Sequence, residues 1–144
     1  MPSKIVVGFD GSESAQRALD FAVKQAKAKG AGLVIAHVLE WSPYSFLTPT
    51  ELEERHKRRA EELERAETAL LNPVVDSLKD SGVEVSTALK YGHIAETLVS
   101  VTKDSGASQI VIGRTGHSSL SSRLFGSVAG TLAQAAPVPV TIVP

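Results

Sequence analysis

The residues best suited to chemistry lie between 113 and 128: Gly113-Arg114-Thr115-Gly116-His117-Ser118-Ser119-Leu120-Ser121-Ser122-Arg123-Leu124-Phe125-Gly126-Ser127-Val128. In shorthand this is GxxG, nine residues, then GS. Two glycines let the backbone turn sharply and approach a phosphate with no Cβ in the way, while Gly126-Ser127 near the final helix can offer amide hydrogens and a hydroxyl to the same anion. The chemistry this implies is phosphate held mostly by main-chain donors. A GxxG alone also describes a plain strand-to-helix turn, so the reading rests on the second GS at its distance and on the strand and helix that flank the motif.

Other residues carry weaker signals. Asp10 directly follows an apolar run and suits either ligand contact or capping of the next helix. His37 and His117 belong to a residue type that titrates near neutral pH, but no second ligand stands at zinc spacing, so packed or solvent-facing histidines are expected. Ser118, Ser119, Ser121 and Ser122 read as a hydrogen-bonding lid. Gly8 occupies the place, two residues before Asp10, where an aspartate-nucleophile phosphatase carries a second Asp. A receiver-type acidic cluster, a phosphate loop ending in GK(S/T) and a dinucleotide GxGxxG are all absent.

The elements that must position these residues follow from periodicity. Ile5-Val6-Val7-Gly8-Phe9 is continuously apolar, as a strand buried on both faces reads. Ser12 can cap a helix in which Ala15, Ala18, Leu19, Ala22, Val23 and Ala26 recur at three- and four-residue spacing until Gly30. Leu33 to Leu39 gives a second buried strand, so a right-handed crossover and parallel pairing are expected. Glu40 to Pro49, with Trp41, Tyr44 and Phe46, suits a loop leaving the carboxyl end of that strand.

Thr50 to Leu71 is charged and sparsely apolar, and reads as a largely solvated helix. Its basic run His56-Lys57-Arg58-Arg59 is neutralised by neighbouring acids. Pro73 should kink or restart this helix before it runs to Ser81-Gly82. Val83 to Leu89 alternates as an edge-like strand, Ile94 to Val101 has helical spacing, and Ser108 to Ile112 is a strand ending at Gly113. Leu124 to Ala135 forms the last helix. Val138 to Val143 closes as a strand that Pro137, Pro139 and Pro144 confine to an edge. The expected fold is an open parallel five-stranded α/β sheet with helices on both faces, Rossmann-like, binding its ligand beyond the carboxyl ends of the strands.

Composition narrows the function. The 144 residues fit one domain, 1–144. Fifteen basic and sixteen acidic residues give a net charge of -1, which supplies no broad positive field for a nucleic-acid backbone. No cysteine is present, so disulfides, thiolate metal sites and a Cys nucleophile are excluded, and a reducing cytoplasmic setting is expected. No apolar run reaches bilayer length and no signal-peptide pattern follows Met1, so neither secretion nor a membrane anchor is expected.

The GxxG, nine-residue, GS motif after the fourth strand resembles that of the nucleotide-binding members of the universal stress protein family. The resemblance extends over essentially the whole chain: Ile5 to Ser14, Ala36-His37-Val38, Gly92-His93-Ile94-Ala95-Glu96, Gly126-Ser127-Val128 and Pro137 to Val143. It implies that an adenine nucleotide, ATP above all, binds with Mg or Mn on its phosphates. Asp10 would then lie near the ribose or the phosphate-bound ion, and Val38 would meet the adenine. Gly113, Arg114, Gly116, Gly126, Ser127 and Val128 would surround ribose and phosphates, with His117 also in contact. It further implies a regulatory or stress-response role and a homodimer through Val138 to Val143. Catalysis is expected to be absent or limited to slow ATP hydrolysis or transfer. A nucleotide-free interaction module using Trp41, Tyr44 and Phe46 is the remaining alternative. Gln109 departs from the family pattern, in which an Asp often precedes the fourth strand, and Arg114-Thr115 fills a gap where many members have small or histidine residues.

Overall fold

The computed structural model describes residues 3–40, 48–114 and 121–144. Strand β1 (Lys4–Gly8) leads into α1 (Glu13–Lys29) and β2 (Gly32–Glu40). Next come α2 (Pro49–Ala66), a π turn (Glu67–Leu71), α3 (Asn72–Ser77) and β3 (Val85–Gly92). Then follow α4 (Ile94–Ser105), β4 (Gln109–Gly113), α5 (Ser121–Ala135) and β5 (Val140–Val143). All the strands are parallel, in the order β3-β2-β1-β4-β5. The expected open parallel α/β sheet is therefore the observed one, with β3 and β5 at its edges.

Alternate strand residues divide the core into two layers. Ile5, Val7, Phe9, Leu33 and Ile35 face α1, where Ala15, Ala18, Leu19, Ala22 and Ala26 let helix and sheet approach closely, and Leu71 joins them. Val6, Val34, Ala36, Ile110 and Ile112 face Leu98 and Val101 of α4 and Leu132 of α5. The division follows from handedness. From β1 to β3 the chain moves one way across the sheet, and from β3 through β4 to β5 it moves the other way. Right-handed crossovers in opposite directions place their helices on opposite faces.

Local chemistry sets the boundaries. Ser12 Oγ accepts the Ala15 amide at 3.1 Å to open α1. Gly30 closes it at φ 64°, a left-handed conformation that glycine adopts without strain. The solvated helix begins one residue earlier than expected, with Pro49 in its first turn after the Thr48–Glu51 capping box. Pro73 restarts the helix as expected: α3 opens at Asn72 with Pro73 in its first turn, and the segment before it winds as a π turn. The Asn72 amide reaches back five residues to the Glu67 carbonyl, and this wide turn takes up the donor and space that proline removes. Regular helix then stops at Ser77, short of Ser81-Gly82.

Strand β3 begins two residues later than Val83 and continues beyond Leu89, because its pairing with β2 runs to Glu40 opposite Gly92. Helix α4 runs past Val101 to Ser105, and α5 begins at Ser121 rather than Leu124. Pro139 cannot donate, so β5 starts at Val140 and the Pro139 carbonyl accepts from the Ile110 amide at 3.0 Å. The aromatic loop residues Trp41, Tyr44 and Phe46 lie outside the described residues. Among the described residues no helix is long and apolar enough to cross a membrane.

Candidate functional site

The sheet changes direction between β1 and β4, so the crevice beyond their carboxyl ends is the switch point at which open α/β sheets take ligands. Four features meet there: the β1-to-α1 turn, the end of β4, the end of β2, and the amino end of α1.

The first turn is tightly specified. The Phe9 amide donates to the Ala36 carbonyl at 2.8 Å, extending the β1–β2 contact past the last strand residue. Gly11 takes φ 82°, and Asp10 Oδ1 accepts the Ser12 amide at 2.9 Å. Asp10 thus folds the turn, while Ser12 is the residue that caps α1. A carboxylate has acceptor capacity beyond one such bond, so this role leaves Asp10 able to meet a ligand. His37 Nδ1 lies 2.8 Å from the Phe9 carbonyl. A carbonyl can only accept, so Nδ1 carries the proton, and the ring ties β2 to the end of β1. Among the described residues no three His, Cys, Asp or Glu side chains group to hold a metal ion.

Gly113 ends β4 opposite Val143. A Cβ built on it would stand 2.4 Å from Ser14 Oγ and 2.7 Å from the Ser14 carbonyl carbon and oxygen. The first turn of α1 is pressed against this strand end, and glycine is the residue that lets it be. Ser14 is only 2% exposed and was missed by sequence reasoning, because a serine in a first helical turn looks like ordinary surface. The sequence signal that could have found it is the glycine itself, since close packing of helix on strand is one of the established reasons for glycine in such turns.

The remaining candidates fall as follows. Val38 is half-buried on β2, opposite Lys90, against the α4 and α5 side of the core. Arg114 is exposed, and its amide donates to the Val143 carbonyl at 2.9 Å. Gly126 and Ser127 lie in the second turn of α5, where backbone amides bond within the helix; the amides an anion can reach are those of the first turn, from Ser121. Val128 is half-buried against the same core layer as Val38. Gly116 and His117 lie outside the described residues. Gln109, the departure from the family pattern, is 8% exposed; its amide donates to Thr141 Oγ1 at 2.7 Å and its carbonyl accepts from Lys29 Nζ at 3.4 Å. That position is absorbed in joining β4, β5 and α1.

At the outer strand, Tyr91 donates its hydroxyl to the Glu62 carboxylate, and the Arg59 guanidinium lies 5.2 Å from its ring centroid. Burial first, then the hydrogen bond and charge of Glu62, push the phenol up to about 12, against the opposing pull of Arg59 and Arg55. A groove of about 310 Å³ lies nearby, lined among others by Lys90, His93, Glu96, Thr97, Ser100 and Asp104. Among the described residues, none of those expected to touch a ligand lines it.

A parallel sheet in this strand order, with a glycine-bearing strand end and a helix amino end at its switch point, defines a doubly wound α/β protein of the kind that takes ligands at that crevice. The universal stress protein family model matches residues 1–144. The universal stress protein YxiE of Bacillus subtilis is 31% identical over 147 aligned residues, covering 99% of both chains. The chain belongs to the universal stress protein family.

Solved structures agree. The universal stress protein UspA from Lactobacillus plantarum superposes with a TM-score of 0.82 at 26% identity, covering 99% of this chain and 97% of that one. A universal stress protein in complex with cAMP is 29% identical, TM-score 0.68, covering 99% and 96%. One from Archaeoglobus fulgidus in complex with dAMP is 25% identical, TM-score 0.63, covering 99% and 98%.

Proposed function

We propose that this chain binds an adenine nucleotide, ATP with Mg or Mn on its phosphates, at the β1/β4 switch point and uses its occupancy in a cytoplasmic regulatory or stress-response role. The observation that carries the reading is that two full-length structural relatives are named as complexes with adenine nucleotides, while this chain has GxxG, nine residues and GS directly after β4. Val38 is the residue assigned to the adenine. Gly113, Arg114, Gly116, His117 and Val128 are assigned to ribose and phosphates; Gly126 and Ser127 are assigned there too, through the close approach a glycine allows and the serine hydroxyl, since their amides bond within α5.

Asp10 fits the metal role as an oxygen donor of the hard kind that Mg and Mn prefer. With no cluster of carboxylates around it among the described residues, the ion would arrive with the phosphates and be met by Asp10 from one side. The bound ion would neutralise phosphate charge; the chain itself supplies main-chain amides and the positive end of α1. The homodimer is assigned to β5, an edge strand on which Ile142 is 36% exposed.

The test is calorimetric titration of the purified chain with ATP, ADP, AMP and cAMP in the presence and absence of Mg, beside native mass spectrometry for bound nucleotide and subunit number. Saturable ATP binding that weakens in Arg114→Ala and loses its Mg dependence in Asp10→Asn is expected. Both substitutions leave the turn in place, since Asn can still accept the Ser12 amide and the Arg114 contact recorded is its backbone. No binding at millimolar nucleotide, with no rise in melting temperature, refutes the reading in favour of a nucleotide-free module, because a ligand of the native state must stabilise it.

A further inference from the structure

We propose that α2 is a hinged strap, fastened over the carboxyl end of β3 by the Tyr91–Glu62–Arg59 contact and able to swing about the π turn Glu67–Leu71.

Three observations support this. First, α2 holds its own shape. The Thr48–Glu51 capping box satisfies its amino end, and Arg58 pairs with Glu54 one turn away at 3.5 Å. Second, among the described residues little apolar surface fixes it to the body. None of its described side chains is buried, and the half-buried stripe it turns inward is Arg55, Arg59, Leu63 and Ala66. Across the π turn the situation reverses: Leu71 is 1% exposed, and Leu70, Val74 and Leu78 pack on the core. Third, the hydrogen-bond spacing changes between the two parts, where the Asn72 amide reaches five residues back and Pro73 offers no amide, the places at which helices bend.

The fastening is polar and specific. Tyr91 is the last residue but one of β3, opposite Leu39 of β2, at the ligand end of the sheet. Its hydroxyl donates to Glu62 and its ring receives Arg59, so α2 is gripped in its carboxyl half, on the side of the π turn. With the phenol held up to about 12, the hydroxyl remains a donor throughout the neutral range. Release would leave α3 anchored and free the Tyr91 end of β3. That this matters for nucleotide access rests on the proposed function; the motion itself does not.

Hydrogen exchange of the full chain, followed by mass spectrometry, separates the two. Tyr91→Phe keeps the ring and deletes the donor, while Glu62→Gln keeps the shape and removes the charge. A swing keeps the amides inside α2 bonded and breaks those that cross the hinge, so exchange through 67–72 should quicken roughly fivefold to tenfold in Tyr91→Phe and less in Glu62→Gln, with 49–66, the rest of α3 and the strands unchanged. The double variant should match Tyr91→Phe, because both remove one contact. Unchanged exchange in both variants, or α2 and α3 loosening together, overturns the strap. In the ligand arm, ATP should dissociate faster from Tyr91→Phe; an unchanged rate beside quickened exchange overturns control of access. A chain that binds no ATP refutes the proposed function and leaves the exchange result to decide the motion.

Discussion

Replacing Gly113 by alanine places a methyl carbon where the structure has room for none. The nearest atoms are Ser14 Oγ at 2.4 Å and the Ser14 backbone carbon and oxygen at 2.7 Å. A hydroxyl can rotate away, but the two backbone atoms belong to the first turn of α1, which is held by the Ser12 cap and by the apolar stripe beneath it. Overpacking of this kind costs about 1–3 kcal/mol. Against it stands the reduced freedom of the unfolded chain, about 0.4–1 kcal/mol in alanine's favour where the backbone is compatible, and Gly113 is not among the residues at positive φ. A net loss of about 1 kcal/mol, at a slope of about 2 kcal/mol per molar urea, lowers the unfolding midpoint by about 0.5 M.

Equilibrium unfolding in urea, followed by far-ultraviolet circular dichroism, measures this directly. Adding Ser14→Gly to Gly113→Ala should recover only part of the loss, because it removes the hydroxyl and leaves the backbone obstacle. A midpoint equal to or above that of the unaltered chain refutes the packing argument, and full recovery in the double variant shows that the hydroxyl alone was the obstacle. The result also governs how ligand binding is tested. A nucleotide defect in any Gly113 variant reports the seating of α1 as much as contact with phosphate, so Arg114 and Asp10 are the better probes.

Gly130→Ala is the opposite case: it lies inside α5 with nothing among the described residues within 4 Å of the added carbon, and should raise stability by about 0.5–1 kcal/mol in the same urea assay. Ser12→Ala deletes the α1 cap and should lower stability by about 1 kcal/mol, read as a lower midpoint at unchanged slope. In a Tyr44→Phe background Tyr91 is the only tyrosine left, and its phenolate absorbance should rise with a midpoint near 12 rather than 10. Because the folded-state value lies above the ordinary one, the contact's contribution is complete below pH 10 and is lost as pH climbs toward 12. A midpoint at 10 shows that Glu62 does not accept from this phenol in solution.

Strands β1, β2 and β4 were legible because burial on both faces leaves an unbroken apolar run, and α1 because its alanines repeat at helical spacing. The far end of β3 was not. Lys90 and Tyr91 carry no strand signal, and they are extended because β2 continues beside them to Glu40, a fact of the sheet rather than of the segment. The restart at Pro73 was legible from its missing amide, and the π turn before it was not, because the wide Asn72-to-Glu67 bond leaves no residue pattern in the sequence. Of the candidate site, the spacing of the glycines was visible, while the reason Gly113 is glycine was not. Its obstacle, Ser14, sits near the other end of the chain, and only folding brings the two together.

That obstacle also explains how the crevice becomes suited to an anion. All the strands point one way, so α1, α4 and α5, each following a strand, begin at the same end of the sheet. Their amino ends carry partial positive charge that declines within a turn, so the effect on a ligand depends on how closely a helix end approaches. Gly113 sets that distance for α1 by admitting Ser14 against β4, next to the switch point. Packing and binding are therefore not competing accounts of this glycine. A side chain there would push away the very helix end that favours phosphate, and the predicted stability loss and a weakened nucleotide affinity would share one cause.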